Sequence, residues 1–202
     1  LNSLLSIANC QQNHLQPKTF NIQPITFNPQ PTTMRPLPGD YAPYYTGYVN
    51  YTEEQEPLEA LMRSYEELED FFPRVTPENL NFRYAPEKWS VIEVLVHLMD
   101  CELIFTNRAL QIARGEQKPL PGFDQDEYVH SSSAQNMTLD QIRSCMRSAR
   151  NLAIDLFRTF DEPTLARKGV ANNNDLTVNS VAFIIAGHQR HHLEILKTRY
   201  GL

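Results

Sequence analysis

SVIEVLVHLMDCELIFTNRALQIARG, residues 90–115, sets the reading of the whole chain. Ser90 and Glu93 form an S-x-x-E capping box ahead of an apolar run, and Gly115 suits the left-handed residue that closes a helix. The stretch between them has neither proline nor glycine and is far too long for a strand, so the spacing predicts a helix to about Arg114. On its wheel Val94, Cys101, Ile104 and Arg108 share a face with His97, which turns that imidazole inward.

Three more segments carry helical periodicity. Leu58, Leu61, Met62, Tyr65, Leu68 and Phe72 recur at three-four spacing after Pro57, which suits a first turn, and Pro73 ends the run. A third helix starts at Thr138, where Gln141 completes another capping box, and continues through Ile142, Cys145, Ala149, Leu152 and Leu156. The fourth runs from about Thr177 to Tyr200, with Gly201 behind it. Four such helices imply an all-α four-helix bundle. Residues 116–137 show no periodicity, and a connection of that length is either functional or a crossover that makes helices two and three parallel. The 73–88 and 161–176 connections are long enough to pack over a bundle end.

The fourth helix holds GHQRHHLEIL, residues 187–196. At about 100° per residue, His192 falls about 40° from His188, inside a stripe with Val181, Ile184, Ile185 and Ile195. His191 falls about 60° to the other side, on the margin, and Glu194 points away. His97, His188 and His192 therefore all face the interior. One buried imidazole is easily satisfied by a hydrogen bond; three on apolar faces need water, charge or a metal. A chelating i, i+4 pair with a third ligand from a facing helix makes a divalent ion the economical account, and imidazole donors suit zinc, nickel, copper and iron. A carboxylate-bridged di-iron bundle is disfavoured, since the chain has no paired Glu-x-x-His motifs.

Composition narrows the partners. The 202 residues carry 18 Lys and Arg against 24 Asp and Glu, a net charge of −6 with no basic block, which disfavours nucleic acid as a partner. No apolar run reaches membrane-spanning length. Cys10, Cys101 and Cys145 are odd in number and far apart, and no C-x-x-C occurs, so a disulfide framework is not expected and a reducing cytoplasm is the simplest setting. Residues 1–33 differ from the rest: Lys18 is their one charge, and Pro17, Pro24, Pro29 and Pro31 interrupt any periodicity. We expect a disordered or loosely docked extension there, ahead of a domain at 34–202. LNSLLSIANC lacks a basic n-region, which argues against a signal peptide.

Four ordered segments carry a resemblance to a known family: MRPLPGDYAPYYTGYV (34–49), YAPEKWSVIEVLVHLMDCE (84–102), RALQIARGEQKPLPGFDQDEYV (108–129) and GHQRHHLEIL. Together they resemble the DinB/YfiT-like superfamily over Met34 to the C-terminus. The resemblance implies an up-down-down-up bundle with a long crossover between helices two and three. It implies nickel or zinc on three histidines, which match His97, His188 and His192, and it allows a homodimer. Family activities range over metal-dependent hydrolysis and thiol-dependent transfer, so a small-molecule substrate or a low-molecular-weight thiol is the expected partner. The competing expectation is a non-enzymatic, metal-stabilised bundle acting as a sensor or dimerising module.

Around the three histidines, Cys101 is either a fourth, soft ligand or a small core residue, the latter being the commoner fate. Arg108 is expected to pair with an inward carboxylate or a loop, with an anionic substrate as the alternative. Asp100 and Glu102 flank the ligand face, where a carboxylate can orient a ligand histidine. Glu93 is accounted for by its cap, and Trp89 by packing at the bundle mouth. The loop residues Asp124, Asp126, Glu127, Tyr128 and His130 have the chemistry of an acid or base, though loop carboxylates are usually just solvated. No catalytic residue is assigned from the sequence.

Overall fold

A computed structural model describes residues 34–202; the expectation for 1–33 lies outside the described residues. In chain order the helices are α1 (Thr46–Val49), α2 (Pro57–Phe71), α3 (Val91–Ala113), α4 (Gln125–Ser131), α5 (Leu139–Phe157), α6 (Glu162–Leu165) and α7 (Val178–Tyr200). A hairpin of β1 (Lys168–Ala171) and β2 (Asn174–Thr177) leads into α7. The four long helices α2, α3, α5 and α7 make the bundle.

Their boundaries follow from local chemistry. Glu93 Oε2 accepts the Ser90 backbone N–H at 2.7 Å, and Gln141 Oε1 accepts that of Thr138 at 2.8 Å. Thr177 and Ser180 cap α7 in the same reciprocal way. Gly201 closes α7 at φ +73°, which only a residue without Cβ adopts freely.

Helix directions can be read from cross-contacts. Arg143, early in α5, reaches Glu69, late in α2, so these two run antiparallel. The Tyr200 hydroxyl at the end of α7 donates to the Trp89 carbonyl just before α3, so these two are also antiparallel. The first turns of α3 pack with Ile142 and Met146 of α5, and its last turns pack with Ile154 and Phe157, so α3 and α5 are parallel. The topology is up-down-down-up, and the segment between α3 and α5 is the crossover that this order requires.

Some details depart from expectation. The crossover contains α4, a seven-residue helix that Asp124 caps by accepting from the Asp126 and Glu127 N–H groups. The connection ahead of α7 holds α6 and the hairpin, whose Asn172 and Asn173 both have positive φ, as a two-residue primed turn demands. The buried face of α5 is also rotated. Ile142, Met146, Ala149, Arg150, Ala153, Ile154 and Phe157 point inward, while Cys145 is exposed and Leu152 is 58% exposed. In α2, Met62 is likewise exposed and Ala60 and Ser64 are buried in its stead. The cause is Arg150. A charged residue occupies the centre of the core face, where a hydropathy pattern places solvent.

Arg150 is 1% exposed and touches all three other bundle helices. It forks onto Glu102 of α3 at 2.6 and 2.8 Å, donates to the Leu61 carbonyl and Ser64 hydroxyl of α2, and donates to Gln189 Oε1 of α7 at 2.9 Å. Gln189 in turn donates to the Ser64 carbonyl. This polar layer separates two apolar clusters. One lies around Leu61, Phe105, Phe157 and Val181, and the other around Leu68, Leu95, Ile142 and Leu196.

Removing one member of a buried ion pair leaves the other charge uncompensated. Arg150→Ala is expected to cost about 3–5 kcal/mol of stability in urea unfolding, more than its buried volume explains. A loss below about 1 kcal/mol would mean that Glu102 is solvated without its partner.

Candidate metal centre

The polar layer continues into the histidines. Gln189 follows His188 in α7, and Glu102 follows Cys101 in α3, so the partners of Arg150 adjoin the candidate ligands in sequence. His97 Nε2 and His188 Nε2 are 3.1 Å apart. The His192 ring lies 4.9 Å from that of His97 and 4.6 Å from that of His188, centroid to centroid. The structure thus brings the three imidazoles together from two antiparallel helices. Cys101 Sγ sits 3.6 Å from His97 Nε2, and the donor atoms of His97, Cys101 and His188 all lie within 4.8 Å of one another.

Aromatic side chains pack around the cluster. Trp89 packs on His97 at 4.8 Å, Phe105 on His188 at 6.1 Å, and Tyr48 stands edge-on to His188 at 5.1 Å. Tyr48 reaches that position because residue 187 is glycine: a Cβ there would lie 1.9 Å from the Tyr48 carbonyl oxygen. His191 is half-buried on the flank against Tyr48 and Tyr51, as its wheel position predicts.

Burial pushes His97 down to about 4. His188 and His192 fall well below the ordinary histidine range, through burial first and the neighbouring imidazoles second. All three are therefore neutral near pH 7, each with a ring nitrogen that can bind a cation. Burial also pushes the Cys101 thiol up to about 12. Among the described residues no carboxylate forms an ion pair or hydrogen bond with the three rings, so nothing in the chain supplies the charge that would stabilise imidazolium.

The donor atoms that lie together are those of His97, Cys101 and His188, with the His192 ring beside them, and the His97–His188 spacing fits a metal. Two nitrogens sharing one ion at about 2.0–2.1 Å would be about 2.9–3.4 Å apart, depending on the angle between the bonds. The observed 3.1 Å falls in that range.

The remaining candidates separate. Glu102 is committed to Arg150 and leaves the histidines to others. Arg108 donates to the Pro121 carbonyl at 3.0 Å, so the loop partner is present and the carboxylate partner is not. Asp100 is half-buried and lines an open groove of about 440 Å³ with Met99, Glu127, Tyr128 and Ser131; burial raises its carboxyl above the usual range. Glu93 holds its cap and an ion pair with Arg83. Asp124 is spent on the α4 cap, Tyr128 stacks on Phe123, and Asp126 and His130 are exposed. Sequence reasoning missed Tyr48 and Arg150. Tyr48 gave no periodic signal, because α1 is a single turn.

The sequence model of the DinB superfamily matches residues 60–196. The chain belongs to the DinB superfamily. Among solved structures, this DinB-superfamily chain is similar to YfiT from Bacillus subtilis, described as a probable metal-dependent hydrolase with an unusual four-helix bundle topology. The TM-score is 0.64 at 18% identity, over 74% of this chain and 90% of that one, a likeness of fold. No curated protein sequence matches the chain. Among the described residues, no helix is long and apolar enough to cross a membrane.

The buried histidines also set a pH dependence in the metal-free protein. The unfolded chain takes up protons around 6.5, whereas folded His97 does so only near 4 and the other two resist further. Their contribution is thus fully present above 6.5 and is lost as pH falls from there toward 4. Urea midpoints of metal-free protein should drop between pH 7.5 and pH 5, and the drop should shrink in His97→Gln. A midpoint that holds or rises at pH 5 would contradict the burial of neutral imidazoles.

Proposed function

We propose that the protein binds one divalent ion through His97, His188 and His192 and acts with it on a small molecule, by hydrolysis or by transfer to a low-molecular-weight thiol. The observation that supports this reading is the convergence of three neutral imidazoles, His97 and His188 buried and His192 partly exposed, with no acidic partner among the described residues. Such a group is costly to bury unless something binds it. Family membership and the description of YfiT point the same way. Zinc and nickel both suit imidazole donors.

The chain's own part can be derived residue by residue. His188 and His192 stand one turn apart on α7, so one rigid helix fixes two donors, and His97 closes the set from α3. Trp89 packs against the His97 ring, and Tyr48 and Phe105 against that of His188. When bound, a divalent ion supplies Lewis acidity toward a substrate oxygen or a thiol. The Cys101 thiol stays protonated beside the rings and is not a nucleophile in the metal-free protein.

Cys101 also favours a second reading. Its sulfur already lies with the His97 and His188 nitrogens, all within 4.8 Å of one another, and a site closed by four protein ligands is structural.

Metal stoichiometry tests the ligands. His188→Ala and His192→Ala should each lose bound zinc or nickel, whereas His191→Ala should retain it. Cobalt-loaded protein separates the two readings. Azide or a small thiol should shift its visible bands saturably if a position is open. Bands that ignore both ligands but change in Cys101→Ser would establish the structural alternative.

A further inference from the structure

Among the described residues four charged side chains are buried: Glu54, Glu102, Arg108 and Arg150. Glu102 pairs with Arg150, and Glu54 pairs with Arg190. Arg108 is 4% exposed and has no carboxylate partner among the described residues. Residues 1–33 contain no Asp or Glu, so they offer no side-chain carboxylate either. Its one hydrogen bond runs from Nη2 to the Pro121 carbonyl, and among the described residues none leaves Nε or Nη1. A guanidinium keeps its charge at any working pH and carries five N–H donors. With no carboxylate beside it, a guanidinium held this deep keeps donors free for an anion.

The setting of Arg108 gives the anion a place. Its guanidinium lies 5.3 Å from the Phe105 ring centroid and 5.8 Å from that of Phe123, and the two rings flank it without competing for its donors. Phe105 in turn lies 6.1 Å from the His188 ring, which puts the guanidinium within about 12 Å of that histidine. Arg108 shares a face of α3 with His97 and Cys101, and helical side chains lean toward the N-terminus, in this case toward the cluster.

We infer that Arg108 is an anion subsite, which binds an oxyanion group of the small molecule whose reacting atom lies at the histidine cluster. The assignment rests on that cluster being the reaction centre. The shared chemistry is a carboxylate or a phosphate, either of which accepts two parallel N–H bonds from a guanidinium edge.

Thermal unfolding with acetate or inorganic phosphate as probe, at constant ionic strength, tests the subsite. The wild-type melting temperature should rise saturably with at least one probe; acetate alone would point to a carboxylate and phosphate alone to a phosphoryl group. Arg108→Met should raise the half-saturating concentration by about ten- to hundredfold. It should leave metal stoichiometry unchanged and the probe-free melting temperature no lower, because an unpaired buried charge has been replaced by an apolar chain of similar length. Arg108→Lys, which keeps the charge but loses the fork, should weaken the response less than Arg108→Met does. No saturable rise with either probe overturns the assignment, as does an Arg108→Met half-saturation equal to wild type. If Arg108→Met does not fold, an Arg108→Lys half-saturation equal to wild type overturns it. Metal stoichiometry, measured on the same samples, reports separately on the histidine cluster.

Discussion

The bundle is organised around the Arg150 guanidinium. It is the residue through which α2, α3 and α7 are all tied to α5, by five hydrogen bonds from one side chain. Apolar packing alone tolerates sliding and rotation of helices. A fork that must meet Glu102, Ser64, the Leu61 carbonyl and Gln189 at once does not. Because Glu102 and Gln189 adjoin Cys101 and His188, the constraint fixes the level at which α3 and α7 face each other. That level is where the histidines meet. The middle of the bundle is thus one polar layer with two parts, an ion-paired part that is satisfied internally and a histidine part that is left to bind something.

This division explains the electrostatics. The carboxylate that could have neutralised a buried imidazolium at this depth, Glu102, is consumed by Arg150. The imidazoles are left neutral in an aromatic box, the protonation state that a metal requires. Arg108, further along α3, is the buried charge without a carboxylate partner among the described residues, which is why it is read as facing a ligand.

Much of this was legible in the sequence because helix ends are local. Ser90 with Glu93, Thr138 with Gln141, and Gly201 announce themselves within a few residues, and the structure uses each of them. The inward phase of His97, His188 and His192 was legible because phase depends only on spacing within one helix. What failed was the reading of polar residues at core positions. Arg150 gave no signal within its own helix, because its partners lie 39 to 89 residues away in sequence. Glu102, which helical phase placed beside the ligand face, pairs with Arg150 instead. The hairpin and α1 escaped because elements of four residues carry too few positions for a period.

The central claim is that three imidazoles, and no sulfur, hold the ion. X-ray absorption at the metal edge of zinc- or nickel-loaded protein tests it most directly. The account predicts a nearest shell of nitrogen and oxygen, with outer-shell scattering from three imidazole rings. A sulfur neighbour near 2.3 Å, or fewer than three rings, would contradict it.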